Sequence, residues 1–193
     1  MKGGIHSMID VETTNMDFWI QASNPILLKV VDEEDHTISD AMETVFPMIT
    51  EDAYLVWHHV HIPLNYKYTF SCMIDDVLVI IEALTSSASG ELTNYWPVQE
   101  LAAEWRMKWD SNRLEIDTKW DTVVGNTESL LAARPKLTID KDAFIAEWKP
   151  LLGMVLKALT DAGYRDEQLT DLARLRRIHD AIPTAGILYS TEG

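Results

Sequence analysis

Apolar and polar residues alternate without a break on both sides of Ser111-Asn112. Trp105, Met107 and Trp109 alternate with Glu104, Arg106, Lys108 and Asp110. Leu114, Ile116, Thr118 and Trp120 then alternate with Arg113, Glu115, Asp117 and Lys119. A period of two is the signature of strands with one buried face. If Ser111-Asn112 is a two-residue loop, antiparallel pairing sets Asp110 opposite Arg113, Lys108 opposite Glu115, Arg106 opposite Asp117 and Glu104 opposite Lys119. All four pairs have opposite sign. The other face pairs Trp109 with Leu114, Met107 with Ile116 and Trp105 with Thr118. A slip of one residue mixes the two faces, so the pattern specifies its own register. Each cross-strand pair contributes roughly 0.2–1 kcal/mol. Ser-Asn is not a preferred type I′ sequence, so the pairing is better defined than the loop.

Weaker patterns flank this hairpin. Met16, Phe18 and Ile20 alternate as in a short strand, and Asn24-Pro25 then punctuates the chain. Residues 26–31 (Ile-Leu-Leu-Lys-Val-Val) are rich in strand-forming residues and predict a strand. Ser39 is positioned to cap a short helix over residues 40–46, stopped by Pro47. Residues 54–62 predict a further strand, limited by Pro63, and Tyr66, Tyr68 and Phe70 a brief extended piece. Ser71 precedes a helix from about Met73 to Leu84, whose Ile74, Val77, Leu78, Ile81 and Leu84 share one face. Thr127 can cap residues 128–133. Thr138 or Asp140 starts a longer helix carrying Phe144, Trp148, Leu151, Leu152, Val155 and Leu159. Pro150 inside it predicts a kink or restart, and Gly163 a stop. Asp166 is placed to cap a last helix over residues 167–180, and the weakly apolar tail after Pro183 is expected to be ordered by docking. Strands in sequence, then helices, predict one α+β domain over residues 1–193. Its antiparallel sheet contains the Trp-rich hairpin and is packed on one face by the C-terminal helices.

Charge changes this picture from fold to partner. The 193 residues carry a net charge of −15. Residues 1–96 hold 3 Lys and no Arg against 15 acids, whereas residues 97–193 hold 13 Lys and Arg against 16 acids. Eight acids without one Lys or Arg fall between positions 32 and 52: Asp32, Glu33, Glu34, Asp35, Asp40, Glu43, Glu51 and Asp52. Such a balance opposes nucleic acid and anionic lipid, and favours a basic protein partner. No run of about 18 apolar residues predicts a membrane span. The opening residues lack the apolar core of a secretory signal, and Cys72 is the lone cysteine, so a cytoplasmic location is expected.

Candidate chemistry is sparse. His58-His59-Val60-His61, taken as part of a strand, sets His59 and His61 on one face as a metal pair, with no third ligand fixed by spacing. Asp75 and Asp76 are neighbours on a helix and project about 100° apart, so they do not converge. Cys72 near a helix start is a potential nucleophile, although a lone cysteine is more often a small apolar side chain. Trp105, Trp109 and Trp120 are either a recognition face or core beneath the long helix. Arg165, Arg174, Arg176 and Arg177 stand among acids and predict an ion-paired solvent face. No catalytic signature and no cofactor-binding motif is present.

With Trp96-Pro97, the 105–120 hairpin and the 138–163 helix in this layout, the chain resembles the immunity proteins that bacteria make against their own toxins. The resemblance implies a mechanism: acidic side chains meet the cationic cleft of a toxin domain, typically a nuclease, and block its substrate. The expected function is therefore non-enzymatic binding of a basic partner through the eight acids. Two alternatives stand beside it. One is a metal-dependent enzyme or ligand-binding domain that uses residues 58–61 with Asp75 or Asp76. The other is a structural subunit that self-associates through the Trp-rich hairpin.

Overall fold

The computed structural model describes residues 17–183; Met16 and the tail after Pro183 lie outside them. The hairpin forms in the predicted register. Strands β5 (Leu101–Asp110) and β6 (Arg113–Val123) pair Asp110 with Arg113, Lys108 with Glu115, Arg106 with Asp117 and Glu104 with Lys119. Ser111 alone has a positive φ, 56°, so the loop is not type I′, which needs it at both positions. The charged face makes its ion pairs mostly along the strands. Arg106 meets Glu104 at 2.6 Å, Arg113 meets Glu115 at 2.9 Å and Lys119 meets Asp121 at 2.7 Å. Flanking strands β4 (Ser89–Val98) and β7 (Lys136–Asp140) complete an antiparallel sheet of order β4-β5-β6-β7. Gly90 lies opposite Trp109, where a Cβ would come within 2.4 Å of the indole. The strand can carry no side chain there.

A second antiparallel sheet, of order β1-β2-β3, contains β1 (Phe18–Gln21), β2 (Ala53–Trp57) and β3 (Val60–Leu64). The single strand expected over residues 54–62 is thus two strands. His58 and His59 take left-handed φ values of 44° and 71° and turn the chain between them. Residues 26–31 join neither sheet. Tyr66–Phe70 is a π-helical turn rather than an extended piece, because the Asn65 side chain accepts the amides of Lys67 and Tyr68 and winds the chain at that point.

Helix α1 (Ile38–Val45) starts two residues before the predicted position. Thr37, not Ser39, caps it, in a reciprocal box with Asp40. Helix α2 (Ser71–Ser86) continues directly from the π turn, and short α3 (Glu128–Ala132) follows Thr127. Thr138 belongs to β7, so α4 (Lys141–Ala162) begins after Asp140 and runs unbroken through Pro150. Gly163, at φ 114°, ends it. Helix α5 (Leu172–Ala181) starts later than Asp166 because residues 165–171 form turns that seat buried Leu169. No helix of the described residues is long and apolar enough to cross a membrane.

One contiguous core joins both sheets and the helices. At its centre Trp105 contacts Trp96 at 4.6 Å and Trp57 at 5.3 Å between ring centroids, and Phe18 stacks on Phe144 of α4 at 4.8 Å. Aromatic contacts of this kind contribute about 0.5–1.5 kcal/mol each beyond their burial. Trp105, Trp109 and Trp120 are all buried. The hairpin's Trp face is core, which removes the surface that self-association through it requires.

Candidate functional site

The eight acids do not act alike. Asp35 is buried against α4's end, where the Tyr164 hydroxyl donates to its carboxylate. The same hydroxyl accepts the Asp32 amide at 3.1 Å, and Gln168 Nε2 donates to the Asp32 carbonyl at 2.7 Å. Burial, then the Asp35 hydrogen bond, pushes the Tyr164 phenol up. Asp32 Oδ1 accepts the Glu34 amide at 3.0 Å and closes the turn. The result is a pinned loop whose tip presents the exposed side chains of Glu33 and Glu34. Asp40 caps α1, and the Thr37 hydroxyl holds its carboxyl below the usual range. Asp52 accepts from the Asn65 amide at 3.0 Å. Glu43 on α1 and Glu51 project into solvent.

Between these acids lies a feature that the sequence assigned elsewhere. The Ile26 amide donates to Thr50 Oγ1 at 2.6 Å, and the Leu28 amide to the Val45 carbonyl at 2.8 Å. These bonds lay residues 26–31 alongside the end of α1 and the loop after it. Leu27 packs on the core, while Ile26, Leu28, Val30 and Val31 are exposed. Met48 and Ile49, in the adjoining loop, are 67% and 87% exposed. Half of the exposed large apolar side chains among the described residues are these six. Their concentration beside Asp32, Glu33, Glu34 and Glu51 makes an apolar patch with an acidic rim, the form of an interaction surface. The apolar, β-branched character of residues 26–31 was legible in the sequence. Their exposure was not, since a strand pattern does not say whether a sheet receives it.

The other candidates are placed apart. His58 Nδ1 lies 3.1 Å from Asp17, and its Nε2 lies 2.8 Å from the Lys136 carbonyl, so both ring nitrogens are engaged. His59 sits in the turn, and His61 meets the rings of Trp19 and Tyr54 edge-on. The shared strand face expected of His59 and His61 is broken by that turn. No three His, Cys, Asp or Glu side chains converge as a metal site among the described residues. Asp75 faces Asp171 and Arg174 of the α5 region, and Asp76 faces Asn94 of β4. Burial is the main cause that pushes both carboxyls up. They diverge, as their spacing requires. Cys72 is exposed on α2.

Arg174 clamps Glu82 with two bonds of 3.1 and 2.7 Å, and Arg177 adds a third at 3.4 Å. These bonds, that of Arg174 first, hold the Glu82 carboxyl below its usual range. Arg176 pairs with Asp166 at 2.9 Å. These arginines tie α5 to α2 and to its own leading turn. A shallow concavity of about 650 Å³ crosses the outer face of the four-stranded sheet. Glu91, Glu115 and Asp117 balance Arg106, Lys108 and Lys136 there, so it carries no net charge to select a partner.

The chain matches no protein-family model, no curated protein and no solved structure.

Proposed function

We propose that this is a non-enzymatic binding protein that docks a basic protein partner on the apolar patch and its acidic rim. The observation that carries this is the coincidence of the two. Six exposed apolar side chains supply area, and Glu33, Glu34 and Glu51 beside them supply a negative field. Apolar area at the centre gives affinity, and like-signed charge at the rim speeds encounter with a cationic surface. In its specific form the reading is that of an immunity protein acting in the cytoplasm, which covers the cationic cleft of a nuclease-like toxin domain. The net charge of −15 and the fixed presentation of Glu33 and Glu34 support that form.

The test is affinity capture from native lysate at low salt, elution with salt, and identification by mass spectrometry. The expected outcome is one stoichiometric basic protein, released by salt, whose enzymatic activity is blocked in the complex. Capture of nothing, or of acidic proteins that salt does not release, contradicts the reading.

A further inference from the structure

Residues 26–31 run beside the end of α1 and the loop after it without pairing into either sheet. In an extended chain, side chains alternate between two faces while amides alternate between two edges. Over residues 26–28 both alternations are present, and beyond them Lys29, Val30 and Val31 are all exposed. Leu27 points into the core, and Ile26, Leu28 and Val30 point to solvent. The amides of Ile26 and Leu28 turn inward to Thr50 and Val45. Among the described residues the amides of Leu27, Lys29 and Val31 have no acceptor, and this edge belongs to neither sheet. An open row of backbone donors and acceptors beside exposed apolar side chains is a template for pairing. Natural edges are usually guarded by charges of one sign, by proline or by a covering loop. Here the guard is the lone Lys29, with Pro25 before the row and not within it.

We propose that residues 26–31 are an open β-edge that receives a strand from the basic partner protein, by main-chain pairing along Leu27, Lys29 and Val31. Alternate side chains of the incoming strand lie on Ile26, Leu28 and Val30. Its cationic residues meet Asp32, Glu33 and Glu34 at one end and Glu51, near Ile26 through Thr50, at the other. The backbone supplies affinity and the side chains supply selectivity, as in other cases of strand addition. Charge chooses the occupant. A second copy of this chain would bring the same acids, and a net −15, against themselves. A strand alternating apolar and cationic residues matches both the patch and its rim. This rests on the binding function proposed above and assigns it a recognition mode.

The test uses a capped peptide alternating Lys and Val, added to the full chain at low salt. In the wild type, hydrogen exchange at the Leu27, Lys29 and Val31 amides is expected to slow about tenfold or more on saturation. Lys29→Pro removes one donor from the open edge and leaves the exposed side-chain face in place. It is expected to weaken peptide binding about tenfold, whereas Lys29→Ala does not weaken it. An unchanged tryptophan emission spectrum verifies that each variant is folded. Exchange that stays fast at the three amides, or Lys29→Pro binding as tightly as Lys29→Ala, overturns the proposal. If Glu33→Lys with Glu34→Lys still weakens binding in that event, the edge is refuted while the acidic docking surface stands. If the charge reversals also change nothing, both fall.

Discussion

Glu33 and Asp35 are two residues apart and alike in the sequence, yet one is displayed and the other consumed. What separates them is Tyr164, 129 residues downstream, whose hydroxyl fixes Asp35 and the Asp32 amide together. No local pattern carries a contact of that separation, so the eight acids read as one uniform tract when they are a pinned loop with two projecting glutamates. Glu147 shows a related effect on stability. It reaches from α4 to cover the edge of β1, accepting the Ile20 amide at 3.1 Å. Burial pushes its carboxyl above the ordinary 4.5, and the Ile20 amide only partly offsets this. A carboxyl raised on folding binds its proton more tightly in the folded state. Its penalty is therefore absent well below pH 4.5 and grows as pH rises through the raised value. Glu147→Gln keeps an acceptor for Ile20 without the charge. The variant is expected to be more stable than the wild type at pH 7 and equal to it near pH 3, measured by urea midpoints at the two values.

At the scale of elements, legibility followed locality. The β5–β6 register was fully legible, since opposite charges and opposite faces agree at each pair within 20 residues. The residues 58–59 turn was not, because neither Gly nor Asn marks it and the aromatic and β-branched residues around it read as one run. The Thr37–Asp40 box was hidden beside Ser39, an equally good cap by type. The residues 26–31 pattern predicted a strand, whereas the structure forms none there, because no neighbouring strand pairs with the segment. Gly90 is a position where sequence alone said only that a connector ended, whereas the structure uses its missing side chain to seat Trp109, whose Nε1 donates to the Ser87 carbonyl at 3.1 Å. Gly90→Ala forces Trp109 from that seat, at a cost of about 1–3 kcal/mol as for other overpacked sites. Chemical denaturation followed by tryptophan fluorescence measures it, and the emission should shift as the indole moves.

For the whole molecule, the sequence supplied the class, α+β, but left the Trp face between recognition surface and core, and predicted one sheet where there are two. The sheets are joined by Phe18, Trp57 and Trp105, which meet from both sheets at the centre of the core. Contacts between distant strands of that kind leave no periodicity to read. The division of charge, by contrast, was plain in composition and survives in space. The basic residues of the second half are largely paired in place, as in Arg174 with Glu82 and Arg106 with Glu104. Among the described residues, Glu33, Glu34 and Glu51 of the first half are exposed and make no ion pair. The central claim is that this acidic rim steers a cationic partner onto the apolar patch. Its most direct measurement is the association rate of the captured partner at low and at high salt, for the wild type and for Glu33→Lys with Glu34→Lys. We predict that the reversal slows association about tenfold at low salt and that the difference closes as salt rises, since exposed charges are screened within about 10 Å at 0.1 M. Equal association rates for the two proteins at low salt would contradict the account.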